Sequence, residues 1–295
     1  MTIRHIAIVR DQSALFDGGR RVVDRHRGAR PGFSVIELIF VILNIIVFLA
    51  VLIPMIEDSR EAARRTRCLN NLKQIGLGLL NYETNLGALP PGVVDDLGPI
   101  TQERIGRRIG WMMQLLPYIE LTPIYQASRL DHSVFDPENG TAISTQPSTL
   151  LCPSSRGSSY AACHHDAELP IDRNQNGVMF LNSHVRIEEI EDGSSNTLLV
   201  GEKLREPLQF PWWAGTRSSL RNTGSPINAK VDPKVWSDVM YVGGFASDHP
   251  GGSNFALADG SARFISETID PVAYRRLGHR SDGELNNWDK AQTSK

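Results

Sequence analysis

Cysteine is nearly missing: Cys68, Cys152 and Cys163 are the three in 295 residues. That is too few for a disulfide scaffold, and no two of them have the CxxC spacing of a zinc site. Neither GxSxG nor HExxH occurs, so the frames that mark common hydrolases and zinc proteases are lacking. Beyond the N-terminal segment there is no Lys/Arg patch interleaved with aromatics, which removes nucleic acid from the expected partners. There is no internal repeat and no low-complexity block, so residues 93–295 are expected to form one globular domain. With 41% apolar and 22% charged residues, the composition is that of a folded protein.

What the chain does have is a charge split around one apolar run. The formal net charge of -2 conceals seven Arg against three Asp in residues 1–32, which leaves 24 basic and 30 acidic residues in the remainder. The run Phe33 to Pro54 is 22 residues with a single charge, Glu37. At about 1.5 Å per residue, a helix of that length crosses a hydrocarbon core of about 30 Å. Arg20, Arg21, Arg25, Arg27 and Arg30 precede it, so the positive-inside preference predicts a cytoplasmic N-terminus and an exported C-terminal domain. The run exceeds the apolar region of an ordinary secretory signal, and no A-x-A-like site follows it.

At the junction stands Arg30-Pro31-Gly32-Phe33-Ser34-Val35-Ile36-Glu37-Leu38, which resembles the prepilin signal of type IV pilins and type II secretion pseudopilins. The resemblance implies cleavage after Gly32 by a prepilin peptidase, methylation of the new N-terminal Phe33, and a Glu37 that serves filament assembly. A carboxylate inside an apolar helix is expensive and usually has a partner. In a filament that partner would be the N-terminal amine of a neighbouring subunit. The bland reading is a plain signal anchor whose Glu37 snorkels to the headgroups. Residues 1–32 read as a leader; residues 1–19 are long for one, which places the expected start codon further downstream.

After Pro54 an amphipathic half follows over residues 55–86, with Leu69, Leu72, Ile75, Leu79 and Leu80 at helical spacing, and Gly87-Ala88-Leu89-Pro90-Pro91-Gly92 stops it. One helix of about fifty residues is expected. The stretches EAARRTRCLNNLKQIGLGLLNYE (61–83), LPPG (89–92), LLPYIE (115–120), LCPS (151–154), DGSSNTLLVGEK (192–203) and DHPGGSNFALADGSARFI (248–265) resemble the domain-of-unknown-function 1559 family of prepilin-like proteins. That resemblance implies architecture and carries no activity with it.

Short runs rich in β-branched and aromatic residues at 178–181, 197–200, 239–242, 254–257 and 262–265 predict strands, the last two joined as a hairpin through Ala258-Asp259-Gly260-Ser261. Weaker helical patterns lie near 111–127 and 268–277. The expected fold is α+β and pilin-like, the long helix laid on an antiparallel β-sheet.

The candidate chemistry is thin. Asp172, Asn174 and Asn176 have the D-x-N-x-N-G spacing that opens a calcium loop, but the twelfth position is Ser183 rather than a bidentate Glu. An Asx-rich surface turn is the competing reading, and calcium is the one cofactor the spacing suggests. Cys152 and Cys163, eleven apart in an exported domain, are either a disulfide or buried free thiols, with Cys68 packed on the helix. His249 before Pro250 and two glycines reads as a structural turn bonded to backbone groups rather than a catalytic base. His164 and His165, near Asp166, read as an exposed loop rather than a metal site, and Trp212 and Trp213 as core filling rather than an exposed ligand platform. The expectation is a non-enzymatic subunit of a secretion or surface assembly, anchored in the inner membrane with its domain periplasmic or at the cell surface. Its expected partners are the prepilin peptidase and itself or other pilin-like subunits. A membrane-tethered ligand-binding module that uses the prepilin route only for sorting is the alternative.

Overall fold

The computed structural model describes residues 32, 34–155, 160–204 and 210–284, and the chain divides into two compact units, Met1–Leu52 and Ile53–Lys295. Helix α1 (Val35–Leu86) begins in the first unit. There the run from Val35 to Val51 is exposed, and none of the helix's most apolar stretch is buried within the protein. It is long and apolar enough to cross a membrane. Its two polar side chains each make one local hydrogen bond. A Glu37 carboxylate oxygen accepts from the Ser34 N–H at 3.1 Å, and the Asn44 amide donates to the Phe40 carbonyl at 2.8 Å.

In the second unit α1 docks through one stripe. Cys68, Leu72, Ile75, Gly76, Gly78 and Leu79 are buried, while Leu77 between them is 59% exposed. The helix ends where Gly87 takes a φ of 81°, the left-handed cap that glycine adopts without a Cβ penalty. Strands β1 (Val93–Val94) and β2 (Ile109–Gly110) form a small ladder, and the short helices α2 (Trp111–Leu115), α3 (Thr122–Gln126) and α4 (Gly140–Ser144) follow. The main sheet comprises β3 (Tyr160–His165), β4 (Leu198–Glu202), β5 (Leu220–Asn222), β6 (Gly252–Leu257) and β7 (Ala262–Ser266) in the order β5-β3-β4-β6-β7. Helix α5 (Pro233–Trp236) precedes β6, and α6 (Pro271–Leu277) closes the described chain.

Strands β3, β4, β5 and β6 are buried at every position, with both faces covered, so they do not alternate in polarity, whereas the edge strand β7 is only partly buried. Tyr160, Ala162, Val200 and Ala256 join Leu72, Ile75 and Leu79 of α1 in one core. Ala161, Cys163, Leu198, Phe255 and Leu257 form a second core with Tyr274 and Leu277 of α6. Each fully buried leucine or isoleucine of the α1 stripe contributes about 1.5–3 kcal/mol.

The fold is α+β, with three departures from expectation. The edge pair β3–β5 is parallel, so the sheet is mixed rather than wholly antiparallel. Residues 178–181 and 239–242 are not strands; Met179 and Leu181 are core residues on irregular backbone, Leu181 in an isolated bridge to Val93. Strand β3, read as loop around His164 and His165, is central and buried at every position. The expected hairpin is present as β6–β7, its turn made by Gly260 at φ 79° and by Asp259, which accepts from the Ser261 N–H at 2.8 Å.

Candidate functional site

Glu61 and Cys68 lie seven residues apart on α1, and Leu72, Ile75 and Leu79 continue the same face at helical spacing. The stripe that docks the helix therefore begins with a carboxylate and a thiol. Three other segments meet it: the loop after Leu150 brings Cys152, the end of β4 brings Glu202, and the turn into β6 brings His249. Cys68 and Cys152 form a disulfide across 84 residues of sequence. His249 lies between two carboxylates, its Nδ1 in a very short contact with Glu61 and its Nε2 3.2 Å from Glu202 Oε1. The same Nε2 is 3.4 Å from the Cys152 sulfur.

Apart from half-buried Glu61, the cluster is closed to solvent: His249 and Glu202 are each 2% exposed, Cys68 0% and Cys152 4%. Burial alone would lower the His249 pKa, but Glu202 and Glu61 outweigh it and hold the imidazolium above its ordinary range. For Glu61, burial pulls upward, and His249 and Arg64 more than reverse it, so its carboxyl titrates below the usual range. Arg64 reaches Glu61 at 2.7 Å. Glu202 is anchored on its far side, where Oε2 accepts from the Asn254 N–H at 2.7 Å and from the Asn254 amide at 3.1 Å. The arrangement clasps helix to sheet by one covalent bond and one charged triad.

Sequence reasoning missed this cluster because its members are far apart along the chain. One signal was present: Glu61 and Cys68 extend the apolar stripe toward the N-terminus, where a solvent-facing helix would have no reason to keep them in phase. The bridge between Cys152 and Cys163 is corrected to Cys68–Cys152, and Cys163 is a buried free thiol on the opposite face of β3, its pKa pushed up to about 12 by burial. The imidazole of His249 bonds to Glu61 and faces Glu202 rather than backbone groups. His164 is fully buried, lowered to about 3 by burial, and its Nδ1 meets the Gln175 side-chain carbonyl at 2.7 Å. Trp212 and Trp213 fill the core.

The other singled-out residues are not members of the clasp. Gly32 is exposed, Phe33 lies outside the described residues, and Glu37 lies in the first turn of α1. In the Asx-rich loop, Asp172 accepts from the Arg173 N–H at 2.8 Å, Asn174 is exposed at φ 56°, and the Asn176 amide donates to Asp166 at 3.1 Å.

The chain is thus an α+β domain clasped to the second half of a helix whose first half is long and apolar enough to cross a membrane. The family described as a protein of unknown function (DUF1559) matches residues 57–272, and the chain belongs to that family. No curated protein and no solved structure matches it.

Proposed function

We propose that this chain is a prepilin-like protein, cut after Gly32, methylated at Phe33, held in the inner membrane by the first half of α1, and working as a pilin- or pseudopilin-type subunit of a secretion or surface assembly. The observation that carries the reading is the division of α1: an exposed apolar half with one acid, Glu37, followed by a half that is integral to the domain core. A disulfide within the domain agrees with an exported, oxidising location. The role is non-enzymatic in this reading, in which His249, buried between two carboxylates, holds helix to domain rather than acting as a base.

Glu37→Ala is the test. A chain that is processed normally but no longer crosslinks to its neighbours or enters filaments supports the subunit role. Unchanged assembly of the variant contradicts it. A second reading, a membrane-tethered binding module, is favoured by one feature: an open polar groove of about 480 Å³ lined by Asn182, His184, Glu189 and Arg280. In that case Glu37→Ala changes nothing, and substitutions in the groove remove the function.

A further inference from the structure

The clasp contains a donor set that a disulfide alone does not explain. One ligand atom from each of Cys68, Cys152, Glu202 and His249 lies within 4.8 Å of every other, and all four residues are buried. Glu202 is divided between two tasks. Its Oε2 is held by Asn254 and, at 3.4 Å, by the Ser253 hydroxyl, whereas its Oε1 is buried with no hydrogen-bond partner among the described residues. That oxygen lies 3.2 Å from His249 Nε2 without the alignment of a hydrogen bond. On the other side of the ring, Glu61 takes Nδ1, as a carboxylate does for a metal-ligating histidine, fixing the tautomer and aiming Nε2 inward.

We propose that reduction of the Cys68–Cys152 disulfide converts the clasp into a four-coordinate site for a divalent cation of zinc type, bound by the two thiolates, His249 Nε2 and Glu202 Oε1. Two sulfurs, one imidazole and one carboxylate are ligands that zinc accepts in tetrahedral geometry. A dithiol reductant passes two electrons and two protons to the disulfide and is itself oxidised to a disulfide. The cation then displaces both thiol protons, and the Nε2 proton where the imidazole is charged, to solvent. With zinc–sulfur bonds of about 2.3 Å, the two sulfurs need to separate to about 3.8 Å, the edge of that tetrahedron. Disulfide and metal would thus be alternative cross-links of one helix-to-sheet junction, the first for an oxidising compartment and the second for a reducing one.

The test uses the full-length chain in detergent, reduced anaerobically with a phosphine, which becomes its oxide with water as the oxygen source, and titrated with Co²⁺. The expected result is one ion per chain with thiolate-to-cobalt charge-transfer absorption and the intense visible bands of a tetrahedral ion. Zn²⁺ should bleach both, and the oxidised chain should bind nothing. Glu61→Gln should weaken binding about tenfold or more through the histidine it orients. Cys163→Ser should leave binding unchanged. Near-UV circular dichroism follows the fold throughout. If reduction unfolds the chain, Zn²⁺ should restore it. The proposal is overturned by a reduced chain that binds no cobalt, by equal binding in the Cys68→Ser/Cys152→Ser variant, or by unfolding on reduction that zinc does not reverse.

Discussion

Glu61, in the second half of helix α1, contacts Nδ1 of His249, 188 residues further along the chain, at the turn that leads into strand β6. That contact is the longest-range polar tie between helix and sheet in the clasp, and it makes the docking of α1 dependent on protonation.

The sign of that dependence follows from the two partners. His249 has a raised folded pKa, so its contribution to stability is complete below its unfolded value of about 6.5 and is lost as pH rises through the folded pKa. Glu61 has a lowered folded pKa, so its contribution is present above its unfolded value of about 4.3 and is lost as pH falls through the folded one. The oxidised, metal-free chain should therefore be most stable between those limits. His249→Ala, which leaves Glu202 buried opposite no cation, should cost about 3–5 kcal/mol near pH 6 and flatten the decline above pH 6.5. Denaturant unfolding across pH checks both; an unchanged slope in the variant would remove His249 from the account.

The disulfide makes a prediction that peptide mapping reads directly. Without reduction, the peptide containing Cys68 should appear linked to the one containing Cys152, and Cys163 should alkylate only after unfolding. Opening a loop of 84 residues should destabilise the chain by about 4 kcal/mol. A Cys152–Cys163 linkage would contradict the structure.

Close packing of α1 on the domain gives another. A Cβ at Gly78 would lie 2.6 Å from Ile119 Cγ2 and 3.0 Å from Leu115 Cδ1. Gly78→Val should therefore cost about 1–3 kcal/mol through overpacking. Leu77→Ala, one residue away on the exposed face, should stay within about 0.5 kcal/mol. Equal effects in thermal unfolding would mean that α1 docks in another rotation.

How much of this was legible depended on the range of the signal. The long helix could be read because its apolar run, its stripe and its Gly-Pro stop are all local, and the β6–β7 hairpin because Asp259-Gly260 marks its own turn. Strand β3 could not: Tyr160 to His165 is buried on both faces, so it shows no alternation, and two histidines read as solvent-exposed. Val239 to Val242 had strand composition, yet that segment lies in turns, with Val242 and Gly243 donating their N–H groups to Glu168 rather than to a ladder. The clasp was hidden for a different reason. Glu61, Cys68, Cys152, Glu202 and His249 each look ordinary in their own surroundings, and only the folded topology brings their charges and sulfurs together.

The most direct test of the account is mass spectrometry of the mature N-terminus in cells with and without the prepilin peptidase. The account predicts a chain that begins at N-methylated Phe33 when the peptidase is present and retains residues up to Gly32 when it is absent. An uncut chain in the presence of the peptidase, or a cut elsewhere that does not depend on it, would contradict the prepilin reading.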